Sequence, residues 1–261
     1  MSSLDASDLD PVTEETCSTS ASSATPELER VASCSGGKKA RRSAHHRRRS
    51  LIIFDWDDTI LPTSYLAKKG FKLDSPCPVG EVKEALDKYS KVVNRTLQEA
   101  SKRGHVMVVT NAETGWIQLT VEKFLPLSAV MVHKFQHISA RSMFEPTGIV
   151  TPIAWKENAF RLVVEEYLRA LGKSDCQVVS LGDSAHEREA VLKVCEEFKV
   201  VCKSLKFMER PDLDALYQQH HLIQECFEAI INKKESLDLC IQANPTSTPS
   251  TPETSPTILA N

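Results

Sequence analysis

The sequence predicts a single Rossmann-like α/β domain, in which helices cover both faces of a parallel sheet in three layers, with disordered N- and C-terminal tails. Short apolar runs alternate with amphipathic helical periods through the middle of the chain, which is typical of a parallel sheet. The 261 residues are 41% hydrophobic and 26% charged, a globular composition. Both ends contain too few large apolar residues to form a core.

Composition divides the chain into three segments. We expect residues 1–49 to be an acidic and then basic tail, residues 50–240 to fold, and residues 241–261 to be a tail rich in Pro, Ser and Thr. The net charge of −3 is unevenly distributed, since residues 1–37 carry −6 and residues 38–50 carry +7. The remainder is mildly acidic, so the folded domain is not expected to bind nucleic acid.

The basic run Lys38–Arg49 has two interpretations of equal weight. It is typical of a nuclear-import signal, which an import receptor would bind, and equally of a solvated tail. We therefore expect the protein in the cytoplasm, the nucleus or both. Kinases that select basic or proline-flanked sites would act at Ser43, Ser50, Thr248, Thr251 and Ser255.

Several classes are excluded by simple patterns. No apolar run approaches the roughly 20 residues of a membrane span, and the acidic N-terminus is not a secretory signal. The eight cysteines form no CxxC pair, which favours a reduced intracellular protein. None of them is followed six residues later by Arg, the spacing that a cysteine phosphatase would need.

The elements follow from hydrophobic periodicity and turn residues. Apolar runs predict strands at 51–57, 106–109, around 129–133, 177–181 and 199–205. Steps of three and four predict helices at about 82–100, 114–125, 151–171, 185–197 and 211–238. Residues 60–79 contain three prolines and one glycine and are predicted to be irregular.

Polar side chains occur where these strands end or helices begin. The clusters are Asp55 with Asp57, Asp58 and Thr59; Thr110 with Asn111; Lys156; and Asp183 with Glu187. Because the carboxyl ends of parallel strands share one edge of the sheet, we expect the clusters to converge there. One carboxylate could attack phosphorus, a second could exchange protons, and a lysine could balance the phosphoryl charge.

This ordered set resembles the haloacid dehalogenase-like phosphatase superfamily over about residues 50–207. The matching motifs are IIFDWDDTI, VMVVTN, the lysine of TPIAWKENAF, and GDSAHE. The resemblance implies that Asp55 is the nucleophile and a metal ligand, and that Asp57 is the general acid/base and offers its backbone carbonyl to the metal. It further implies Mg²⁺ as cofactor.

The remaining roles also come from the resemblance. Thr110, Asn111 and Lys156 would bind the phosphoryl group, Lys156 would also belong to the catalytic set with Asp55 and Asp57, and Thr59 would support the loop. Asp183 would ligate Mg²⁺, with Glu187 as a second acid near it. Asp58 stands where many members have Gly, and it receives no role. Neither interval between the motifs has room for a cap domain, and capless members often act on bulky substrates such as phosphoproteins.

Each residue also has a plain structural reading. The acids at 55–58 could be turn and capping residues, Asp183 and Ser184 could cap a helix, and Lys156 could be a solvated surface lysine. Trp116 and Trp155 are read as packing residues, and His186, His220 and His221 as surface or packing residues.

The preferred function is a magnesium-dependent phosphatase acting through an aspartyl-phosphate on a phosphorylated protein or other bulky phosphoester. The alternatives are a non-enzymatic regulator that keeps the fold, and a small-molecule phosphatase.

Overall fold

The computed structural model describes residues 49–243 and 256–260 and has the predicted α/β fold class. Its strands are β1 (Arg49–Phe54), β2 (His105–Thr110), β3 (Gln136–Ser139), β4 (Cys176–Gly182), β5 (Val201–Lys206), β6 (Leu237–Ala243) and β7 (Pro256–Ala260). The sheet order is β3-β2-β1-β4-β5-β6-β7. The first six strands are parallel, and β7 pairs antiparallel with β6.

The helices fall between these strands. They are α1 (Thr63–Lys68), α2 (Gly80–Ser101), α3 (Trp116–Phe124), α4 (Pro126–Val132), α5 (Ala140–Phe144), α6 (Pro152–Leu171), α7 (Ala185–Phe198) and α8 (Leu213–Asn232). A 3-10 turn spans Glu145–Thr147. Among the described residues no helix combines the length and apolarity needed to cross a membrane.

The core has two halves, one on each face of the sheet. Ile52 and Phe54 of β1 pack with α2, α3, α4 and α8 on one face. Leu51 and Ile53 pack with α6 and α7 on the other. All four side chains are at most 1% exposed, so β1 is buried on both faces, as a continuous apolar run in a parallel sheet predicts. The residue before β2, Gly104, must be glycine because a Cβ there would lie 2.3 Å from the Ser50 carbonyl oxygen.

The strand predicted around residues 129–133 is wrong. Pro126–Val132 is the helix α4, with Pro126 in the first turn, where the missing N–H costs nothing. A short apolar run does not distinguish a buried helix from a strand. The edge strand of the sheet is Gln136–Ser139, whose sequence QHIS contains a single apolar residue and so gives no strand signal.

The C-terminal part of the fold also departs from expectation. The last helix ends at Asn232 rather than 238, and the predicted domain boundary at 240 falls inside β6. The Lys203 ammonium donates hydrogen bonds to the carbonyls of Ile231 and Lys233 at 2.8 and 2.9 Å, which stabilises this helix end from a distant strand. Within the predicted tail, Pro256–Ala260 forms β7.

The predicted modification sites have different outcomes. Ser43, most of the basic run, and Thr248, Thr251 and Ser255 lie outside the described residues. Ser50 lies in β1, is 1% exposed, and its Oγ accepts a 2.8 Å hydrogen bond from Gln177. Ser50 would therefore have to leave β1 before a kinase could act on it, and phosphorylation at Ser50 stays a prediction.

Candidate active site

Three strand ends bring the predicted polar clusters to one edge of the sheet. β1 ends immediately before Asp55, β2 ends at Thr110, and β4 ends immediately before Asp183. β1 lies between β2 and β4, so the chain winds outward in both directions from it. Ligands of open α/β sheets bind at such a switch point, next to the carboxyl ends of the strands.

Lys156 is completely buried at this edge, so its reading as a solvated surface lysine is wrong. It lies in the second turn of α6, and its ammonium contacts Asp55 Oδ1 at 2.6 Å and Glu187 Oε1 at 3.2 Å. It also donates to the Val109 carbonyl at 2.7 Å. Burial lowers the pKa of Lys156, but Asp55 and Glu187 outweigh burial and raise it, so the lysine is charged.

Asp55 shares that single cation with other acids. Burial raises the pKa of Asp55 well above its ordinary value; Lys156 opposes this, while Glu187, Asp57 and Asp183 add to it. Burial also raises the pKa of Glu187, but Lys156 and Ser184 outweigh burial and hold it below its ordinary value. Several carboxyl groups therefore crowd around one ammonium, and ionising all of them together is unfavourable.

Gly182 lets these acids approach one another. A Cβ at Gly182 would lie 2.9 Å from Glu187 Cγ and 3.4 Å from Asp55 Cβ. The first distance is shorter than real Cβ contacts, so any larger residue would push the two acids apart. The glycine of the GDSAHE motif is thus required by packing inside the site.

Asp57 is half-buried and is held by donors from two helices. Its Oδ1 accepts hydrogen bonds from Thr63 Oγ1 at 2.6 Å and from the indole Nε1 of Trp116 at 3.0 Å. Thr110 Oγ1 lies 3.4 Å from Oδ2. Burial raises the pKa of Asp57, and the hydrogen bonds from Thr63 and Trp116 oppose that rise.

Asp58, to which the family resemblance assigns no role, has a structural role in the loop. Its φ is +52°, in the left-handed region where glycine is favoured and aspartate is tolerated. Its carboxylate accepts hydrogen bonds from the backbone N and Oγ of Ser64, at 2.7 and 2.5 Å, and so fixes the first turn of α1. The reading of these acids as turn and capping residues therefore holds for Asp58.

Thr110 and Asn111 end β2 beside the same acids. Thr110 is 2% exposed, and its Oγ1 accepts the Ala112 amide at 3.0 Å. Asn111 donates from Nδ2 to the Pro152 carbonyl at 3.1 Å, which connects β2 to the start of the helix that carries Lys156. Thr59 is buried in the loop, where its hydroxyl has no hydrogen-bond partner among the described residues.

The fourth cluster begins α7. Ser184 is its N-cap, forming a capping box in which Ser184 and the Glu187 carboxylate satisfy each other's backbone amides. Asp183 does not cap the helix and is half-exposed. Burial, followed by the charges of Glu187 and Asp58, raises the pKa of Asp183 to about 7.

Sequence reasoning missed three residues that contact this loop. Trp116, read as a packing residue, donates to Asp57, and Thr63 lies in the interval read as irregular. His220 is completely buried on α8 and contacts the Thr59 carbonyl through Nε2 at 2.8 Å. The sequence did contain a signal for His220, which is a histidine within an apolar helix face. Trp116 also had one, because it is a hydrogen-bond donor at the start of a helix. Thr63 had no such signal.

The donor set at this edge suits Mg²⁺. Asp55, Asp183 and the Asp57 carbonyl offer only oxygen, and a hard cation beside them would offset the burial and mutual repulsion that raise the pKa values of Asp55 and Asp183. No group of three or more His, Cys, Asp or Glu side chains between 49 and 243 is arranged to hold a metal ion. Two carboxylates fit the usual protein contribution to a Mg²⁺ site, in which water and phosphate supply the other ligands.

No family model matches this chain, and no curated protein matches it. The function proposed for the chain therefore depends on the residues at this edge of the sheet.

Proposed function

We propose that this chain is a magnesium-dependent phosphatase of the haloacid dehalogenase-like type, which hydrolyses a phosphoester through an aspartyl-phosphate on Asp55. The observation that carries the proposal is the buried Lys156 ammonium, 2.6 Å from Asp55 Oδ1 and 3.2 Å from Glu187. Burying a lysine beside a carboxylate at a strand end costs free energy, which a simple turn or helix-capping role for that carboxylate would not require. The same arrangement is useful for binding a transferred phosphoryl group.

In the first step, Asp55 Oδ2 attacks phosphorus while the bond from phosphorus to the leaving oxygen breaks. Lys156 keeps Oδ1 oriented, and Asp57 gives its proton to the leaving oxygen. In the second step, Asp57 takes a proton from water, which attacks phosphorus and releases Asp55 and phosphate. Thr110 would donate to a phosphoryl oxygen. When bound, Mg²⁺ supplies positive charge against the transferred group.

A bulky phosphoester, such as a phosphoprotein, is the substrate class we favour. Between 60 and 79 the chain forms only the short helix α1 and a loop, and no separate domain covers the edge within the described residues. Asp57, Asn111 and Asp183 keep partial solvent exposure there. A large substrate could therefore approach the acids without the opening of a lid.

The test is hydrolysis of p-nitrophenyl phosphate by the full chain with and without Mg²⁺. We expect Asp55→Asn to reduce kcat by about 10³-fold or more. Asp87→Asn is a matched control for a contaminating phosphatase, because Asp87 lies on α2 and pairs with Lys83. Equal rates for the wild type and Asp55→Asn would overturn the proposal. Mg²⁺ binding without turnover of any phosphoester would favour the non-enzymatic alternative.

A further inference from the structure

The carboxylate of Asp57 is held asymmetrically. Thr63 Oγ1 and Trp116 Nε1 donate to the same oxygen, Oδ1, at 2.6 and 3.0 Å. Thr63 begins α1 and Trp116 begins α3, so the two donors come from the first residues of two different helices, both of which follow the acidic loop in the sequence. Oδ2 instead has Thr110 Oγ1 at 3.4 Å, a long contact.

Both donors are themselves fixed to the loop. Thr120, one turn after Trp116 on α3, donates to the Trp116 carbonyl at 2.6 Å and accepts the indole N–H of Trp56 at 3.0 Å. Trp56 is completely buried and stands between Asp55 and Asp57 in the chain. On the other side, Asp58 binds Ser64, the residue after Thr63. These hydrogen bonds therefore fix the first turns of both helices in position relative to the acids.

The two donors leave the carboxylate oxygens unequal. An sp² oxygen has two lone pairs, and two donors occupy both of them on Oδ1. Placing a proton on Oδ1 would break one of these hydrogen bonds, whereas Oδ2 can take a proton without loss. We propose that Thr63 and Trp116 are positioning residues that saturate Asp57 Oδ1 and make Oδ2 the oxygen that exchanges a proton with the substrate. This inference rests on the proposed function, in which Asp57 is the general acid.

A positioning role predicts an effect that depends on the leaving group. Proton donation matters little when a nitrophenolate leaves as a stable anion, and it matters greatly when an alkoxide leaves. When one of the two donors is removed, the carboxyl group of Asp57 can rotate and lose its alignment with the leaving oxygen. We expect kcat/KM for an alkyl phosphate to fall about 10- to 100-fold, and for p-nitrophenyl phosphate by about threefold or less.

The kinetic experiment compares benzyl phosphate with p-nitrophenyl phosphate, which are similar in size, using the full chain with Mg²⁺. Trp116→Phe and Thr63→Val each remove one donor, and Thr63→Ser keeps the hydroxyl and should behave as the wild type. Trp155→Phe is the matched indole control, because Trp155 Nε1 donates to the Ile149 carbonyl and not to Asp57. An equal loss on both substrates would show a merely structural role and overturn the inference.

A second measurement does not need activity. The chain has three tryptophans, so ¹⁵N labelling gives three indole N–H signals, and Trp116→Phe identifies the one of interest. We expect Asp57→Ala to shift the Trp116 indole signal and speed its hydrogen exchange, and to leave the Trp155 signal unchanged. An unchanged Trp116 signal would overturn the inference. If the wild type hydrolyses no phosphoester, the proposed function fails. The NMR measurement then still decides whether Trp116 donates a hydrogen bond to Asp57.

Discussion

His220 is expected to make the stability of this domain depend on pH. The imidazole is completely buried, with Nε2 2.8 Å from the Thr59 carbonyl and 3.1 Å from Tyr89 Oη, and Nδ1 3.1 Å from Thr96 Oγ1. A carbonyl can only accept, so Nε2 carries the proton and Nδ1 is an acceptor. Protonating Nδ1 would place a charge in the core and remove that acceptor.

The size of the effect follows from the pKa. Burial lowers the pKa of His220 to about 4; the Thr59 carbonyl opposes that fall, and His221 adds to it. The unfolded chain, with an ordinary histidine pKa of about 6.5, binds a proton that the folded chain excludes. Stability from this group is therefore complete above about pH 6.5 and is lost as the pH falls toward about 4. The loss is about 2 kcal/mol at pH 5 and about 3 kcal/mol once the pH is below about 4.

The assay is urea unfolding of wild type and His220→Gln at pH 8 and pH 5. Gln can donate to the Thr59 carbonyl but does not titrate, so the variant should lose about 2 kcal/mol less than the wild type between these pH values. His186→Gln, which changes an exposed histidine on α7, should keep the wild-type difference. If His220→Gln and the wild type lose the same stability, the reasoning about the buried neutral imidazole is refuted.

Three further substitutions test other buried polar groups by chemical unfolding at pH 7. Lys156→Met should destabilise the domain by about 3–5 kcal/mol, because Asp55 and Glu187 lose their shared cation, and unchanged stability would contradict that ion pairing. Asp58→Ala should cost about 1–3 kcal/mol, because it removes the hydrogen bonds to Ser64 and strains a left-handed residue, whereas Asp58→Asn should cost less. Lys203→Met should cost about 2–4 kcal/mol by leaving carbonyls at the end of α8 without their donor; a neutral result would show that water replaces it.

The sequence predicted the site residues that lie at the carboxyl ends of the parallel strands. The run before Asp55 is apolar at every position, so β1 could be placed in the buried centre, and the shared edge then brought Thr110 and Asp183 near it without further assumption. The buried position of Lys156 was less accessible, because one lysine near a helix start has the same local pattern whether it is solvated or buried.

What the sequence could not provide are contacts made across the fold. Trp116 is 59 residues from Asp57, and His220 is 161 residues from Thr59, so no local spacing relates them. The helix α4 was mistaken for a strand because its apolar run is short, and the true edge strand, QHIS, has almost no apolar character. Both errors arise where tertiary contacts, rather than local pattern, decide the structure.

The acids of the loop after β1 and the acid that follows β4 differ in how their charge is balanced. Asp55 faces the Lys156 ammonium, Asp57 accepts Thr63 and Trp116, and Asp58 accepts Ser64. These partners come from three helices, since Thr63 and Ser64 lie in α1, Trp116 in α3 and Lys156 in α6, and each carboxylate has its own donors, which explains how three carboxylates can lie within four residues.

Asp183 is the contrasting case. Burial and its acidic neighbours raise its pKa to about 7, so near neutral pH it is only partly ionised. A cation beside Asp183 would lower that pKa and balance the negative charge of its carboxylate. The proposed Mg²⁺ would be held at this position. Titrating Mg²⁺ into the wild type and into Asp183→Asn by calorimetry tests this: the heat of binding should be lost in the variant, and equal affinities would place the cation elsewhere.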